Sequence, residues 1–251
     1  MIARTYALES KFELFKLLRL PTYAFATLGF PLMFYGFFGL MYGSQHVEGT
    51  TFAKYLLATY GAFGVIGASL FGFGVSIAVE RGQGWLLLKR ASPMPPLSYF
   101  FAKVVACSAF CAIIVAALFV MGAFFGGVHL AAVQWELLAA ALLAGALPFC
   151  AIGLAIGTFA GPNGAPGIVN MINLPMAFLS GLWIPIAQLP PAVQHIAPWL
   201  PAYHLAQLAL GALGSGSGPW YIHVIVLLAY TSVALSLAAV AFRRDEGRTY
   251  G

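Results

Sequence analysis

Residues 55–103 read YLLATYGAFGVIGASLFGFGVSIAVERGQGWLLLKRASPMPPLSYFFAK. From Tyr55 to Val79 no side chain is ionisable as Asp, Glu, Lys or Arg. That length suffices for a bilayer crossing, because about 20 mainly apolar residues in a helix cover the roughly 30 Å hydrocarbon core. Glu80, Arg81, Lys89, Arg90 and Lys103 then follow, and a second apolar run starts at once. A charge at bilayer centre costs about 2.5–3.5 kcal/mol on insertion scales, and Lys and Arg collect on the cytoplasmic side. The stretch therefore reads as a span, a cytoplasmic loop and a second span.

Working outward, the remaining basic residues fall into two more patches. One is Arg4, Lys11, Lys16 and Arg19; the other is Arg243, Arg244 and Arg248. Only Lys54 lies elsewhere, and Leu137–Phe242 contains no Asp, Glu, Lys or Arg. Charged residues make up 8% of the chain and hydrophobic ones 61%, too few charges to solvate a globule of this length. The expectation is an all-α integral membrane protein, one transmembrane domain over 1–251, with both termini in the cytoplasm. The net charge of +5 is accounted for by the three patches and needs no nucleic-acid partner. Residues 1–20 carry Glu9 and Glu13 and basic residues as far as Arg19, which does not fit a signal peptide.

Six transmembrane helices are expected, at roughly 22–42, 55–79, 104–126, 136–160, 166–186 and 220–242. Six crossings return the chain to its starting side, as the first and last patches require. Before them, residues 1–21 place Leu8, Phe12, Phe15 and Leu18 at helical spacing, with Glu9, Lys11, Glu13 and Lys16 elsewhere on the wheel. This predicts an N-terminal amphipathic helix lying in the membrane interface and broken from span one by Pro21. Between spans five and six, residues 187–218 carry no charge but are interrupted by Pro190, Pro191, Pro198, Pro201 and the run Gly214-Ser-Gly-Ser-Gly218. The run is too broken for a span and too apolar for a free loop. Two short helices, Val193–Trp199 and Ala202–Leu213, forming a re-entrant outer hairpin, satisfy both facts, provided that protein covers their backbone.

The segment 80–103 combines a charge pair, Gly82 and Gly84, an apolar stretch, a basic pair and a proline group. It can form a short helix across the membrane face, stopped near Ser92-Pro93, with Trp85, Leu86 and Leu88 as anchors. Glu80, Arg81, Lys89 and Arg90 would then face water or a partner. The bland alternative is a basic loop that only fixes topology. The order Glu80-Arg81, Gly84, Leu88, Pro93, Tyr99, Lys103 resembles the signature loop of type-2 ABC exporter permeases. The later run Phe178-Leu-Ser-Gly181, Pro185, Leu189-Pro190, Pro198 and Pro201 is similar to the same family, and the resemblance covers essentially the whole chain.

That resemblance implies a transmembrane subunit that moves a substrate outward by alternating access and is not itself an enzyme. It makes 80–103 the coupling segment, with Glu80, Arg81, Gly84, Leu88, Lys89 and Arg90 as the ATPase-coupling residues. It implies two ABC ATPase subunits as partners and a second permease copy, identical or homologous, in the lipid bilayer of the cytoplasmic (inner) membrane. This chain has no Gly-Lys dipeptide and so no Walker A loop. No cofactor is expected on it, and ATP and Mg belong on the ATPase. The substrate class indicated is amphipathic, drug-like or lipid-like; a polysaccharide or metal substrate is the alternative.

Several residues have two readings. Asn170 and Asn173 lie one turn apart in span five, ahead of Pro175. Polar groups in hydrocarbon face protein or a water-filled path, so they either tie a proline kink to a neighbour or mark the substrate path. Phe34 and Phe38 belong to a ring-rich span one and either face lipid and core or line that path. The small residues Gly64, Ala68, Gly72 and Ser76, and Gly153, Gly157 and Gly161, suit close helix packing within the chain. All five histidines map to the outer side, scattered and without a tight ligand spacing, and Cys107 and Cys111 lie a turn apart, a spacing that either suits a soft metal or is simply that of two small core hydrophobes. A membrane enzyme would need paired acids or a metal box, and no two acids pair within a span. An ion-coupled carrier would need a mid-membrane charge, and Glu136 sits at an edge. A structural subunit without transport remains as the other rival.

Overall fold

The structure is a computed structural model and describes residues 2–47, 49–85, 88 and 95–248. Its described part is mostly helical, with one minimal β-hairpin. Helix α1 spans Ile2–Leu18. After Arg19 and Leu20 the chain turns into α2 (Pro21–Ala24) and α3 (Phe30–Phe34), joined and followed by π-helical stretches at Phe25–Gly29 and Tyr35–Gly39. Strands β1 (His46–Val47) and β2 (Thr50–Thr51) pair antiparallel around Gly49, whose φ of 78° suits the turn. Helix α4 (Phe52–Ser69) continues through a π-helical Leu70–Val75 into α5 (Ser76–Gly82). Long helices α6 (Pro96–Phe124), α7 (Ala132–Phe159) and α11 (Trp220–Arg248) complete the frame. Between them lie α8 (Ala165–Leu179), α9 (Pro191–Ile196) and α10 (Pro201–Ala212).

Among the described residues four helical runs are long and apolar enough to cross a membrane: Phe52–Gly82, Ser98–Phe124, Ala132–Phe159 and Trp220–Phe242. Two shorter apolar helices, Phe25–Gly39 and Ala165–Leu179, stand where spans one and five were expected. The fifth is shorter than 166–186 for a local reason. Gly181 has φ 78°, its N–H donates to the Phe178 carbonyl, and the Leu182 N–H donates to the Ala177 carbonyl. This pair of bonds is a Schellman stop, which glycine permits at no steric cost.

The α4 helix is the hub. Every residue from Tyr55 to Leu70 is buried, with the first span, α6, α7, α8 and α10 around it. Gly64, Gly153 and Gly157 do the packing expected of them within the chain, whereas a Cβ at Gly161 would meet nothing within 4 Å. A Cβ at Gly157 would stand 2.6 Å from the Gly74 carbonyl oxygen, and one at Gly153 would stand 3.1 Å from the Gly74 nitrogen. Glycines on both sides thus let the α7 backbone touch the π-helical part of the second span, the close approach that drives association where lipid offers no hydrophobic gain. Gly64 fits against Ile114 and Pro31 in the same way.

The run 187–218 forms two helices, as expected, with bounds set by its prolines: α9 plus a 3₁₀ turn at Ala197–Trp199, then α10. It is not a free loop. Eight of the twelve α10 residues are buried against α4, α7 and α11, and Leu205 lies over Gly145, where a Cβ would be 2.2 Å from its Cδ1.

Candidate functional site: an ion-paired knot beside an apolar cavity

The α4–α5 run of 31 residues is about 46 Å long at 1.5 Å per residue, well beyond a roughly 30 Å hydrocarbon core. Its last turns carry Ser76, Glu80 and Arg81. They meet α1 and the start of α6. Lys103 Nζ donates to Glu80 Oε1 at 2.9 Å, to Glu13 Oε2 at 3.2 Å and to Ser76 Oγ at 2.8 Å. Lys16 also pairs with Glu80, the Tyr99 hydroxyl donates to Glu80 Oε2, and Ser76 Oγ donates to Glu80 Oε1 at 3.2 Å. Glu80 is 7% exposed, Lys103 3% and Glu13 8%. Buried charges survive only when paired and hydrogen-bonded, and this knot supplies both.

Glu80 was expected to face water or a partner; instead it is turned inward and bound by this chain's own groups. The physical reason is opposite charge on three elements at one level. Glu13 and Lys16 of α1, Glu80 of α5 and Lys103 of α6 neutralise one another. Glu13 and Glu80, on different elements, share the Lys103 ammonium, an arrangement that the reading of spans alone did not reveal. Arg81 makes a different bond set: its guanidinium donates to the carbonyls of Thr158 and, at 3.0 Å, Ala160. It thereby closes the carboxyl end of α7, where unsatisfied carbonyls carry partial negative charge. Gly84 has φ 76°, and Trp85 and Leu88 are exposed. Leu86, Lys89, Arg90 and the expected stop at Ser92-Pro93 lie outside the described residues.

Helix α1 turns its apolar side outward. Leu8, Phe12, Phe15 and Leu18 are exposed, whereas Glu13 and Leu17 face the protein. Between α1, the first span and the π-helical end of the second lies a cavity of about 830 Å³. Its walls are Phe12, Leu17, Leu20, Tyr23, Ala26, Phe71, Val75 and Val79, with Pro166 of α8. Its rim is Glu9, Glu13, Lys16, Glu80 and Gln83. An apolar body with a few convergent polar groups is the usual constitution of a small-molecule site. A smaller apolar groove of about 430 Å³ lies between α6, α7 and α11.

The other residues singled out from sequence are not brought together with the knot. Asn173 is buried, with its amide over Gly67 and its Oδ1 without a hydrogen-bond partner among the described residues. Asn170, a turn away, is exposed on the outward face of α8. Phe34 stacks with Phe38 and Trp183 at ring-centroid distances of 6.2 Å each, and Phe63 meets Trp183 edge-on at 5.4 Å. The aromatic set thus joins span one, span two and the turn after α8. Cys107 and Cys111 are joined by Cys150, whose Sγ is 3.5 Å from Cys107 Sγ. Among the described residues no group of three or more His, Cys, Asp or Glu could hold a metal ion. Sequence reasoning missed Glu13, Lys16 and Trp183. The available signal was an acid and a base facing α5 and α6 from the polar side of α1.

Two comparisons bear on this arrangement. Residues 8–213 match the family model described as ABC-2 type transporter. Over 238 residues, 95% of this chain and 97% of the other, the protein is 29% identical to one of Bacillus subtilis (strain 168) named "Putative transport permease YvfS". The family-model match runs from within α1 through the knot, the cavity and α8 to the end of α10 and stops before α11. The chain is therefore a member of the ABC-2 type transporter family, a multi-pass membrane permease of the kind that works with an ABC ATPase.

Proposed function

We propose that the chain is the membrane subunit of an ATP-driven exporter that carries an amphipathic, drug-like or lipid-like molecule from the cytoplasmic leaflet outward. The observation that carries this reading is shared membership: Glu80, Glu13 and Lys16 belong both to the ion-paired knot and to the rim of the 830 Å³ cavity. A push on segment 80–103 reaches Glu80 directly, and Glu80 is bonded to α1 and α6. Movement of that segment therefore reshapes the cavity wall. In this reading Glu80 and Arg81 do not touch the ATPase; they fasten the segment that does, to α1 and to the end of α7. Gly84, Leu88, Lys89 and Arg90 remain the proposed contact.

The rest of the reading follows the family. Two ATPase subunits bind ATP and Mg and close on each other; two permease chains, identical or homologous, form the path. Both termini and 80–103 lie in the cytoplasm, the six helical runs cross the inner membrane, and α9–α10 form a re-entrant hairpin on the outer side. The cavity wall supports this choice of substrate class: apolar surface for a hydrophobic body, an ionic rim for a polar head. The exposed apolar face of α1 lies in the interface where such molecules concentrate.

The test is transport in inside-out vesicles carrying the permease and its ATPase. ATP-dependent accumulation of an amphipathic fluorescent amine, lost in an ATPase hydrolysis mutant, is expected. Widening a wall residue, Val75→Trp, should reduce accumulation without detaching the ATPase. An ATPase that does not co-purify with the permease, or accumulation indifferent to ATP, would overturn the proposal.

A further inference from the structure

His204 of α10 and His223 of α11 meet ring to ring. Their Nδ1 atoms are 2.8 Å apart, and both side chains are buried, 4% and 6% exposed. The other nitrogen of each ring is already committed. His204 Nε2 lies 2.9 Å from the Pro198 carbonyl oxygen, and His223 Nε2 lies 2.8 Å from that of Ser217. A carbonyl oxygen only accepts, so both Nε2 atoms must carry hydrogen. A neutral imidazole has a single N–H. If both rings were neutral, both Nδ1 atoms would be bare and two lone pairs would face each other at hydrogen-bond distance. The contact becomes a bond only when one Nδ1 carries a proton as well.

We propose that His204 and His223 form a proton-binding site: one proton shared as N–H···N between the two Nδ1 atoms fastens the α9–α10 connection to α11. Three protons on four nitrogens give the pair one positive charge. Its surroundings accept that charge. The carbonyls of Pro198 and Ser217 point at the two outer nitrogens, and the Tyr203 ring meets both imidazoles in edge-type contacts at centroid distances of 5.5 and 6.2 Å. The Tyr203 hydroxyl is 3.0 Å from Ser217 Oγ. The packed elements also carry Lys54 and Tyr55 (α4), Glu136 (α7), His195 (α9), Tyr221 and Tyr230 (α11). Among the described residues Lys54, Glu136, His195, Tyr221 and Tyr230 neither hydrogen-bond nor ion-pair with either ring.

A second proton is refused, since two N–H groups and two charges would then face each other. Burial and charge on His223 lower the proton affinity of His204, opposed only by the Pro198 carbonyl, so the N–H···N bond and not the ring's own affinity has to hold the first proton. The sign of the pH effect follows from counting protons. Two unfolded histidines titrating near pH 6.5 together hold one proton at about that pH. Above it the folded pair holds more protons than the unfolded chain, so stability falls as pH rises. Below it the unfolded chain holds more, so stability falls as pH drops. The pair therefore contributes a maximum near pH 6.5.

The decisive experiment measures the full-length permease in two ways. Thermal unfolding from about pH 5 to 9 should show the wild type losing several degrees on the alkaline side. His223→Asn should lose that alkaline arm, because an amide N–H donates to His204 Nδ1 without an extra proton. Nitrogen-15 NMR of histidine-labelled wild type at about pH 7 should show one doubly protonated ring coupled through N–H···N to a partner with a bare Nδ1. Two singly protonated rings at that pH would overturn the proposal even if the variant does not fold. So would an alkaline arm that persists unchanged in His223→Asn.

Discussion

Lys103 Nζ sits 2.9 Å from Glu80 Oε1, and neither residue is more than 7% exposed. This contact joins the end of the second span to the start of α6, across the segment 80–103 that lies between them in sequence. Because Glu13 shares the same ammonium, one lysine holds three elements. Removing one partner of a buried pair leaves an uncompensated charge, which costs about 3–5 kcal/mol. Lys103→Met is therefore expected to lower the melting temperature and release α1. The measurement is limited trypsin digestion alongside thermal unfolding: cleavage at Lys11 and Arg19 should accelerate in the variant. A double change, Lys103→Met with Glu80→Gln, should recover part of the loss.

Arg81 gives a separable outcome. Its bonds end on backbone carbonyls of Thr158 and Ala160, not on a carboxylate. Arg81→Lys cannot reproduce the planar fork that reaches two oxygens. It should keep the permease in the membrane but loosen the end of α7 from α5. Hydrogen exchange at residues 155–160 should rise, and substrate-stimulated ATP hydrolysis should fall by more than the melting temperature accounts for.

The glycine contact can be tested against an internal control. A Cβ at Gly157 meets the Gly74 carbonyl at 2.6 Å, whereas one at Gly161 meets nothing within 4 Å. Overpacking a tight contact costs about 1–3 kcal/mol. Gly157→Ala should reduce the yield of folded protein and its melting temperature, and Gly161→Ala should leave both unchanged.

These residues also show where the sequence was readable. The three basic patches and the charge-free runs located the long helices, because hydrocarbon penalises charge in proportion to depth. The prolines at 190, 191, 198 and 201 located α9 and α10, because each forbids a helix interior and suits a first turn. Gly181 ended α8 earlier than hydropathy suggested, since apolar residues continue past it to Ile186 and composition carries no mark of a Schellman bond pair. The knot was not readable for a different reason. Glu13 and Glu80 are 67 positions apart, and only packing tells which faces of α1, α5 and α6 meet. The histidine pair was hidden likewise: scattered spacing in sequence became a 2.8 Å contact once α10 folded back on α11.

The topology proposed for the chain makes a direct prediction at three positions outside the helices. In a background with Cys107, Cys111 and Cys150 replaced, cysteine at Ser44 or Ser215 should react with an impermeant maleimide in intact spheroplasts. Cysteine at Gln83, beside the knot, should react only after lysis. The reverse pattern would invert the membrane orientation and with it the direction of transport.

Asn170 and Asn173 now separate into two roles. Asn173 is sealed over Gly67 with an unsatisfied Oδ1, so leucine there replaces a polar atom that gains little where it stands and adds branching against α4. Interhelical hydrogen bonds in membranes average about 0.6 kcal/mol, so the effect should be modest and structural. Transport of chemically different amphipaths should fall together, in step with the melting temperature. Asn170 lies about 60° around the helix from Asn173 and is exposed, beside Met171, which is 79% exposed. If that face looks onto the path between two permease chains, Asn170→Leu should leave the melting temperature unchanged and alter which compounds are carried. The two variants measured against one compound panel decide the matter. A uniform loss in both removes α8 from the path, whereas a selective change confined to Asn170→Leu places its outward face there.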